Sequence, residues 1–577
     1  MSVVPVCPDA YLELRNVMRV SLISVCLWWI LLVTLVGTAA SSEALSPFES
    51  QPAAAGQAVP TPPTGPGARG QIDKLIFSRL EQLGIQPANM CSDAVFVRRA
   101  YLDVIGTLPT SQEARTFLSD QDPNKRSNLI DRLLEREEFA DYWAMKWSDL
   151  LRVKAEFPIN LWPNAVQAYH HWIRTCIREN RPYDRFVRDM LTANGSNFRV
   201  PQVNFYRAIQ SKEPQGIAQA VALTFLGVRA EKWEKERLSE MAGFFSQVAY
   251  KSTSEWKEEI VSFDPNKPPA PAAIFPDGTP AKLSPDQPAA AGKDPREVFA
   301  DWLITPKNPW FTRNIVNRVW SWLLGRGIIH EPDDLRPDNP PSNPELLTFL
   351  EKELISANYD LKHIFRLILN SQTYQLSSIP RTGKPPRGRG PEGQANFSHY
   401  PLRQLEAEVL IDAINQITGT TEKYSSAIPE PFTFIPEDQR SIALADGSIT
   451  SSFLEMFGRS PRDTGLESER NNRPTAAQRL HLLNSSHIQR KIEQGPGLRS
   501  LLQSKQKPRE VVSGLYLTIL SRFPTDEELK TVQAYSPQAQ GPPAKGRGSA
   551  GGAAKGREAA VDLAWALINS PEFLYRH

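Results

Sequence analysis

Two helical domains, mainly α with minor β elements and joined by Pro- and Gly-rich linkers, are the fold class this sequence predicts. Three observations predict it. Apolar residues recur at three- and four-residue spacing in one segment after another, the mark of amphipathic helices. Helix-start patterns of the Thr/Ser-x-x-Glu kind stand in front of several of them. The chain also runs to 577 residues, longer than one hydrophobic core ordinarily serves.

The order of elements follows from the N-terminus. Val20 to Val36 is an apolar run behind Arg15 and Arg19, followed by the small residues Gly37-Thr38-Ala39-Ala40. Residues 1–40 therefore read as a signal peptide or, since 17 apolar residues are barely enough to span a bilayer, as an N-terminal anchor. The chain is expected to be exported, to the periplasm or the cell surface, and either anchored by residues 20–36 or released. Residues 41–70 are Ala, Pro, Gly and Ser with few apolar anchors and read as a disordered tether.

A first helical domain is expected over 71–250. Ile72, Leu75, Ile76 and Leu80 mark the buried face of its opening helix. Next comes a corner, Phe96 to Leu102, then Gly106-Thr107-Leu108-Pro109, then a capping box at Thr110 and Glu113. A helix is expected over Lys125 to Glu138. Phe139, Trp143, Trp147 and Leu151 then form a stripe that reads as core rather than as a sugar platform. The helical pattern continues from Tyr169 to Leu191, and Gln215 to Arg229 forms another helix behind Pro214. Residues 251–293 read as a linker, with strand character at Glu259-Ile260-Val261.

The second domain is expected over 294–577, with low-complexity inserts at 377–395 and 535–557. Helices are expected from Phe299, over Asn314 to Leu324 up to Gly325-Arg326-Gly327, and over Leu346 to Leu354 behind a Ser342–Glu345 capping box. The corner then returns as Val511 to Leu517, Pro524-Thr525 and Glu528. Glu138-Phe139 is echoed by Glu572-Phe573, and a Leu/Ile-Asn-Ser string closes three helical patterns at Ser371, Ser485 and Ser570.

The residues exclude more chemistry than they support. A net charge of +2 gives no electrostatic case for nucleic acid. Among eight histidines no zinc-type spacing occurs, and no metal site is expected. Nucleophile-elbow, phosphate-loop and dinucleotide patterns are absent, so there is no recognisable catalytic motif. The one polar cluster that stands out is His330-Glu331-Pro332-Asp333-Asp334. Its carboxylates could bind a cation or act as acid and base, or else cap a helix or hold Arg326. His330, Asp333 and Asp334 are the weak catalytic candidates. Cys91 and Cys176 lie beyond the export segment; they either pair in an oxidising compartment, which would be worth about 4 kcal/mol, or stay as buried free thiols.

Several of these strings carry a resemblance. Phe96 to Glu113, Trp143 to Leu151 and Pro182 to Val187 resemble the first of two uncharacterised domains found in planctomycete cytochrome-c-associated proteins. Ala300 to Leu303, Asn317 to Trp320, Gly325 to Gly327, Asp333-Asp334, Pro344 to Leu347 and Pro474 to Ser485 resemble the second. The resemblance implies an exported protein. It also implies, in many relatives, a Cys-x-x-Cys-His haem motif after the helix end that corresponds to Leu226-Gly227-Val228, and, in some relatives, cysteines before the Glu-x-Glu-Arg region at Glu467 to Arg470. Residues 226–233 and 463–470 hold no Cys or His here, and no Cys-x-x-Cys-His occurs anywhere in the chain. A haem-less member is therefore expected, with no cofactor. Its expected role is that of a cell-envelope binding or scaffold protein; the alternative is an accessory factor or hydrolase acting on polysaccharide. Its partners would be other envelope proteins or polysaccharide, not nucleic acid.

Overall fold

The helices begin and end where their capping residues dictate. The structure, a computed structural model, describes residues 68–268, 270, 273–281, 293–381, 391–503, 506–535 and 550–577. The export segment, nearly all of the 41–70 tether and the middles of both low-complexity inserts lie outside the described residues. After α1 (Ala68–Gln82), Ser92 caps α2 (Asp93–Val104) by accepting from Val95 N–H. Thr110 and Glu113 close a capping box on α3 (Ser111–Ser119), each satisfying a helix-start N–H of the other.

The expected Lys125–Glu138 helix is two. α4 (Lys125–Leu134) stops, Arg136 takes an extended conformation, and α5 (Glu137–Leu150) begins. Arg136 breaks the run because its guanidinium bridges Glu113 and Glu138, at 2.8 and 2.5 Å. The 169–191 pattern is also divided, into α6 (Pro163–Arg178) and α7 (Tyr183–Leu191), where Asn180 adopts a left-handed conformation ahead of Pro182. Pro214 opens α8 (Pro214–Val221), whose last turns widen into a π-type turn over Ala222–Leu226 and end at left-handed Gly227. α9 (Lys235–Ala242) follows.

The stretch expected as a linker begins inside a hairpin. β2 (Val248–Ser252) and β3 (Glu259–Phe263) pair antiparallel, and β3 also pairs with the short β1 (Gly195–Ser196), giving the order β1-β3-β2. α10 (Pro295–Leu303) and α11 (Phe311–Leu324) come next, with Gly325 left-handed after α11. The N-cap of α12 (Pro344–Ser356) is Asn343, accepting from Leu346 N–H, in place of the expected Ser342; Pro344 then occupies the first helical position, where its missing N–H costs nothing. α13 (Leu361–Leu369) and α14 (Ala407–Thr418) lead to α15 (Ala476–Asn484), α16 (Ser486–Gln494), α17 (Pro496–Leu502), α18 (Pro508–Leu520), α19 (Asp526–Tyr535), α20 (Ala550–Ile568) and α21 (Pro571–Leu574). A final two-residue pairing joins β4 (Arg403–Gln404) to β5 (Tyr575–Arg576). The fold is mainly α, and no helix among the described residues is long and apolar enough to cross a membrane.

The echo between the two corners extends to side chains. Arg522 bridges Glu528 and Glu572 as Arg136 bridges Glu113 and Glu138, and Thr525 and Glu528 exchange the same reciprocal cap as Thr110 and Glu113. Arg98 of the first corner donates to the carbonyls of Ile519 and Phe573, at 2.8 Å each. Ser485 and Ser570 cap the helices that follow them, and Ser371 accepts from Tyr374 N–H.

One apolar cluster runs from Ile72 to Phe573 and takes side chains from both family-like segments. Phe139, Trp143, Trp147 and Leu151 are buried in it; Trp143 meets Trp322 and Phe365 at ring-centroid distances of 5.3 and 4.4 Å. Cys91 and Cys176 are both buried free thiols, and burial pushes the Cys176 thiol up to about 12.

Candidate functional site

The ions that bind the two segments together also frame the only polar region that the sequence singled out. Lys146 of α5 meets Glu406 at 2.7 Å, Arg576 pairs with the same carboxylate, and Asp103 accepts from Tyr374 and Tyr400 at 3.0 and 2.7 Å. Burial pushes the Glu406 carboxyl up, but Arg576, Lys146 and Arg470 outweigh it and hold it well below its ordinary range. Beside this, Arg470 forks between Glu408 (2.6 and 3.0 Å) and Asp149 (2.7 Å), and Arg462 also reaches Asp149 at 3.0 Å. Carboxylates locked in this way are spoken for, and their task is to hold the fold.

His330, Asp333 and Asp334 do not converge. His330 lies at the surface with its ring partly shielded from water, and that partial desolvation, reinforced by Arg326, lowers its pKa against the pull of Glu331. Asp334 turns to Arg336 at 2.9 Å. Asp333 is buried, pairs with Arg318 at 2.6 Å and accepts the Glu467 N–H at 2.7 Å. The cation it holds is Arg318 on α11, not Arg326. Sequence spacing places Arg326 nearer along the chain, but the left-handed Gly325 ends the helix between them.

The same loop joins the two cysteine-free stretches. Leu335 N–H donates to Gly227 O at 2.9 Å, Arg229 pairs with Glu331 at 3.1 Å, and Glu467 is tied to Asp333. Glu467 is the carboxylate of this region left available: 32% of its side-chain surface is accessible, its oxygens accept from Trp322 Nε1 at 3.1 and 3.2 Å, and Arg318 stands at 3.8 Å. Burial raises its pKa, Asp333 adds to the rise, and Lys146, Arg318 and Trp322 oppose it. Glu467 is thus a partly accessible carboxylate whose acid form is favoured by its surroundings. Glu469 and Arg470, the rest of the Glu-x-Glu-Arg string, serve structure: Glu469 accepts from the N–H groups of Asp463 and Thr464.

A second place was not singled out by the sequence reading. Trp162, at the start of α6, meets Trp256 of the β2–β3 turn edge-on at 6.4 Å and Phe432 at 5.4 Å. Trp256 is 70% exposed and Phe432 49% exposed, and Phe434 and Phe157, at 72% and 81%, are also open. Lys257 Nζ lies 5.3 Å from the centroids of both Trp162 and Trp256. Trp256 and Phe432, packed on one tryptophan and both open, form the kind of exposed apolar group that marks an interaction surface. The signal was there in Ser254-Glu255-Trp256-Lys257-Glu258 and Pro429-Glu430-Pro431-Phe432, aromatic residues set among charges and prolines with no apolar face to join.

Among the described residues no group of three or more His, Cys, Asp or Glu is placed to hold a metal ion. A mainly helical protein cross-tied by buried ion pairs, with an open aromatic group around Trp162, is the class that fold and site define. Residues 71–248 match the PSCyt2 family model and residues 295–536 the PSD1 family model, each described as a protein of unknown function (DUF1549 and DUF1553). The chain belongs to the planctomycete cytochrome-c-associated family defined by these two domains in tandem. No curated protein and no solved structure matches it.

Proposed function

We propose that this protein is an exported, haem-free binding protein of the cell envelope and that it docks polysaccharide on the Trp162–Trp256–Phe432 group. The observation that carries the reading is the exposure of Trp256 and Phe432, both set against the half-buried Trp162. Indole and phenyl faces suit the C–H faces of sugar rings, and the near-perpendicular Trp162–Trp256 pair (86°) forms a corner that a glycan edge can enter beside the Lys257 ammonium. The apolar run at 20–36 supports export, and the lack of any Cys-x-x-Cys-His supports the haem-free assignment.

Binding is favoured over hydrolysis on geometric grounds. Glycoside hydrolysis ordinarily needs two carboxyl groups facing the bond. Glu467 is available, but Asp333 is held by Arg318 and the Glu467 N–H, and Asp334 by Arg336. Affinity electrophoresis in gels containing soluble xylan, dextran or hydroxyethylcellulose tests the reading. The protein should be retarded in at least one of these gels, Trp256→Ala should migrate freely there, and Glu467→Gln should be retarded like the parent. Free migration of the parent in all three, or equal retardation of Trp256→Ala, would overturn it.

A further inference from the structure

Two histidines six residues apart meet across a helical junction. Ser485 closes α15 and at the same time caps α16 through Ile488 N–H, so the chain turns sharply over a single residue. The turn brings His481, in the last turn of α15, against His487, in the first turn of α16: Nε2 of His481 and Nδ1 of His487 are 3.4 Å apart, with the ring planes inclined at 60°. The far nitrogen of His487, Nε2, is 2.9 Å from Glu422 Oε2. Lys491 Nζ meets the same Glu422 Oε2 at 3.2 Å and is itself fixed by Asn415 and Thr421. Phe453 stacks flat on Phe457 at 4.1 Å and lies edge-on to both imidazoles, at 5.8 and 6.1 Å, so the pair has an apolar wall. A third of the His487 side chain remains accessible.

We propose that His481 and His487 form a binding site for a divalent transition-metal ion of the zinc type. Two imidazole nitrogens at about 2.0–2.1 Å from one tetrahedral ion lie roughly 3.4 Å from each other, and that is the separation here. Glu422 stands where a metal-bound histidine ordinarily finds a carboxylate, accepting from its second N–H and fixing the tautomer. With that proton on Nε2, the His487 Nδ1 lone pair faces His481. His481 completes the pair by carrying its own proton on Nδ1, so the ion enters without net proton release. The chain supplies two ligands and water supplies the rest, an open site of borderline-soft donor character. It shares no residue with the aromatic group or with Glu467, and it stands whether or not polysaccharide binds.

Equilibrium dialysis of the full chain, stripped of metal, against Zn²⁺ provides the test, with Co²⁺ absorption as a second reading of coordination geometry. One saturable Zn²⁺ per chain is expected, with a tetrahedral Co²⁺ band. His487→Ala and His481→Gln should each abolish both signals while keeping the parent circular dichroism. Glu422→Gln should weaken binding by roughly 10–100-fold. His330→Ala, which removes an unrelated exposed imidazole, should leave binding unchanged. Absence of stoichiometric Zn²⁺, or full binding by either folded histidine variant, would overturn the proposal.

Discussion

Glu408→Gln tests the buried ion network at its most committed point. Glu408 is fully buried, and both its oxygens are forked by Arg470, with Arg459 Nε at 3.4 Å. Burial alone would raise its pKa, but Arg470 and Arg459 reverse the effect and bring it down to about 2 from an ordinary 4.5. That displacement corresponds to about 3 kcal/mol of stability at neutral pH. Removing one member of a buried pair independently costs roughly 3–5 kcal/mol, because the charge left behind keeps its desolvation penalty. Urea unfolding at pH 7 should therefore show Glu408→Gln less stable by about 3 kcal/mol. Since the folded pKa lies below the unfolded one, the contribution is complete above 4.5 and fades as pH falls towards 2. The gap between parent and variant should accordingly narrow over that window. A gap under about 1 kcal/mol at neutral pH, or one that stays constant down to pH 2, would refute the reasoning.

The neighbouring residues make contrasting predictions. Asp333→Asn leaves Arg318 buried without its counter-charge and should cost roughly 3–5 kcal/mol in urea unfolding, whereas Asp334→Asn, whose partner Arg336 is exposed, should stay within about 0.5 kcal/mol. Thr110→Ala and Thr525→Ala should each cost about 1 kcal/mol by the same assay, since each removes one half of a reciprocal cap. Residues 71–248 produced alone should fail to show dispersed amide resonances, because Arg98, Arg99, Asp103 and Lys146 would then be buried without partners supplied by residues 374–577.

Local chemistry was legible in the sequence wherever a helix start or a left-handed turn had a characteristic residue. Thr110 with Glu113, Pro214 and Gly325 all act as their residue types suggest. Periodicity misled where a polar residue mid-pattern had a distant partner: nothing in the Lys125–Glu138 string shows that Arg136 will reach back to Glu113. The loop at 330–334 was visible as a cluster of charges, but which charge answers which is a tertiary matter, and Arg318 lies back in the middle of α11, beyond the turn at Gly325. His481 and His487 escaped for a related reason. Six residues is no ligand spacing on a straight helix, and only the Ser485 junction makes it one. Trp256 could have been found by asking why an indole stands in a charged turn.

The latch made by Arg98 and Arg99 also bears on when this protein can fold. Arg98 bonds Phe573 O across 475 positions, and Arg99 donates to the carbonyls of Tyr374, Leu376 and His577, the last 478 positions away. Contacts this distant in sequence raise contact order, and the closing of so long a loop has to precede whatever the contacts return. An early helix thus emerges with two cations whose acceptors have yet to be synthesised. A core that cannot close until residues 573–577 arrive leaves that helix waiting, without its acceptors, through almost the whole of synthesis.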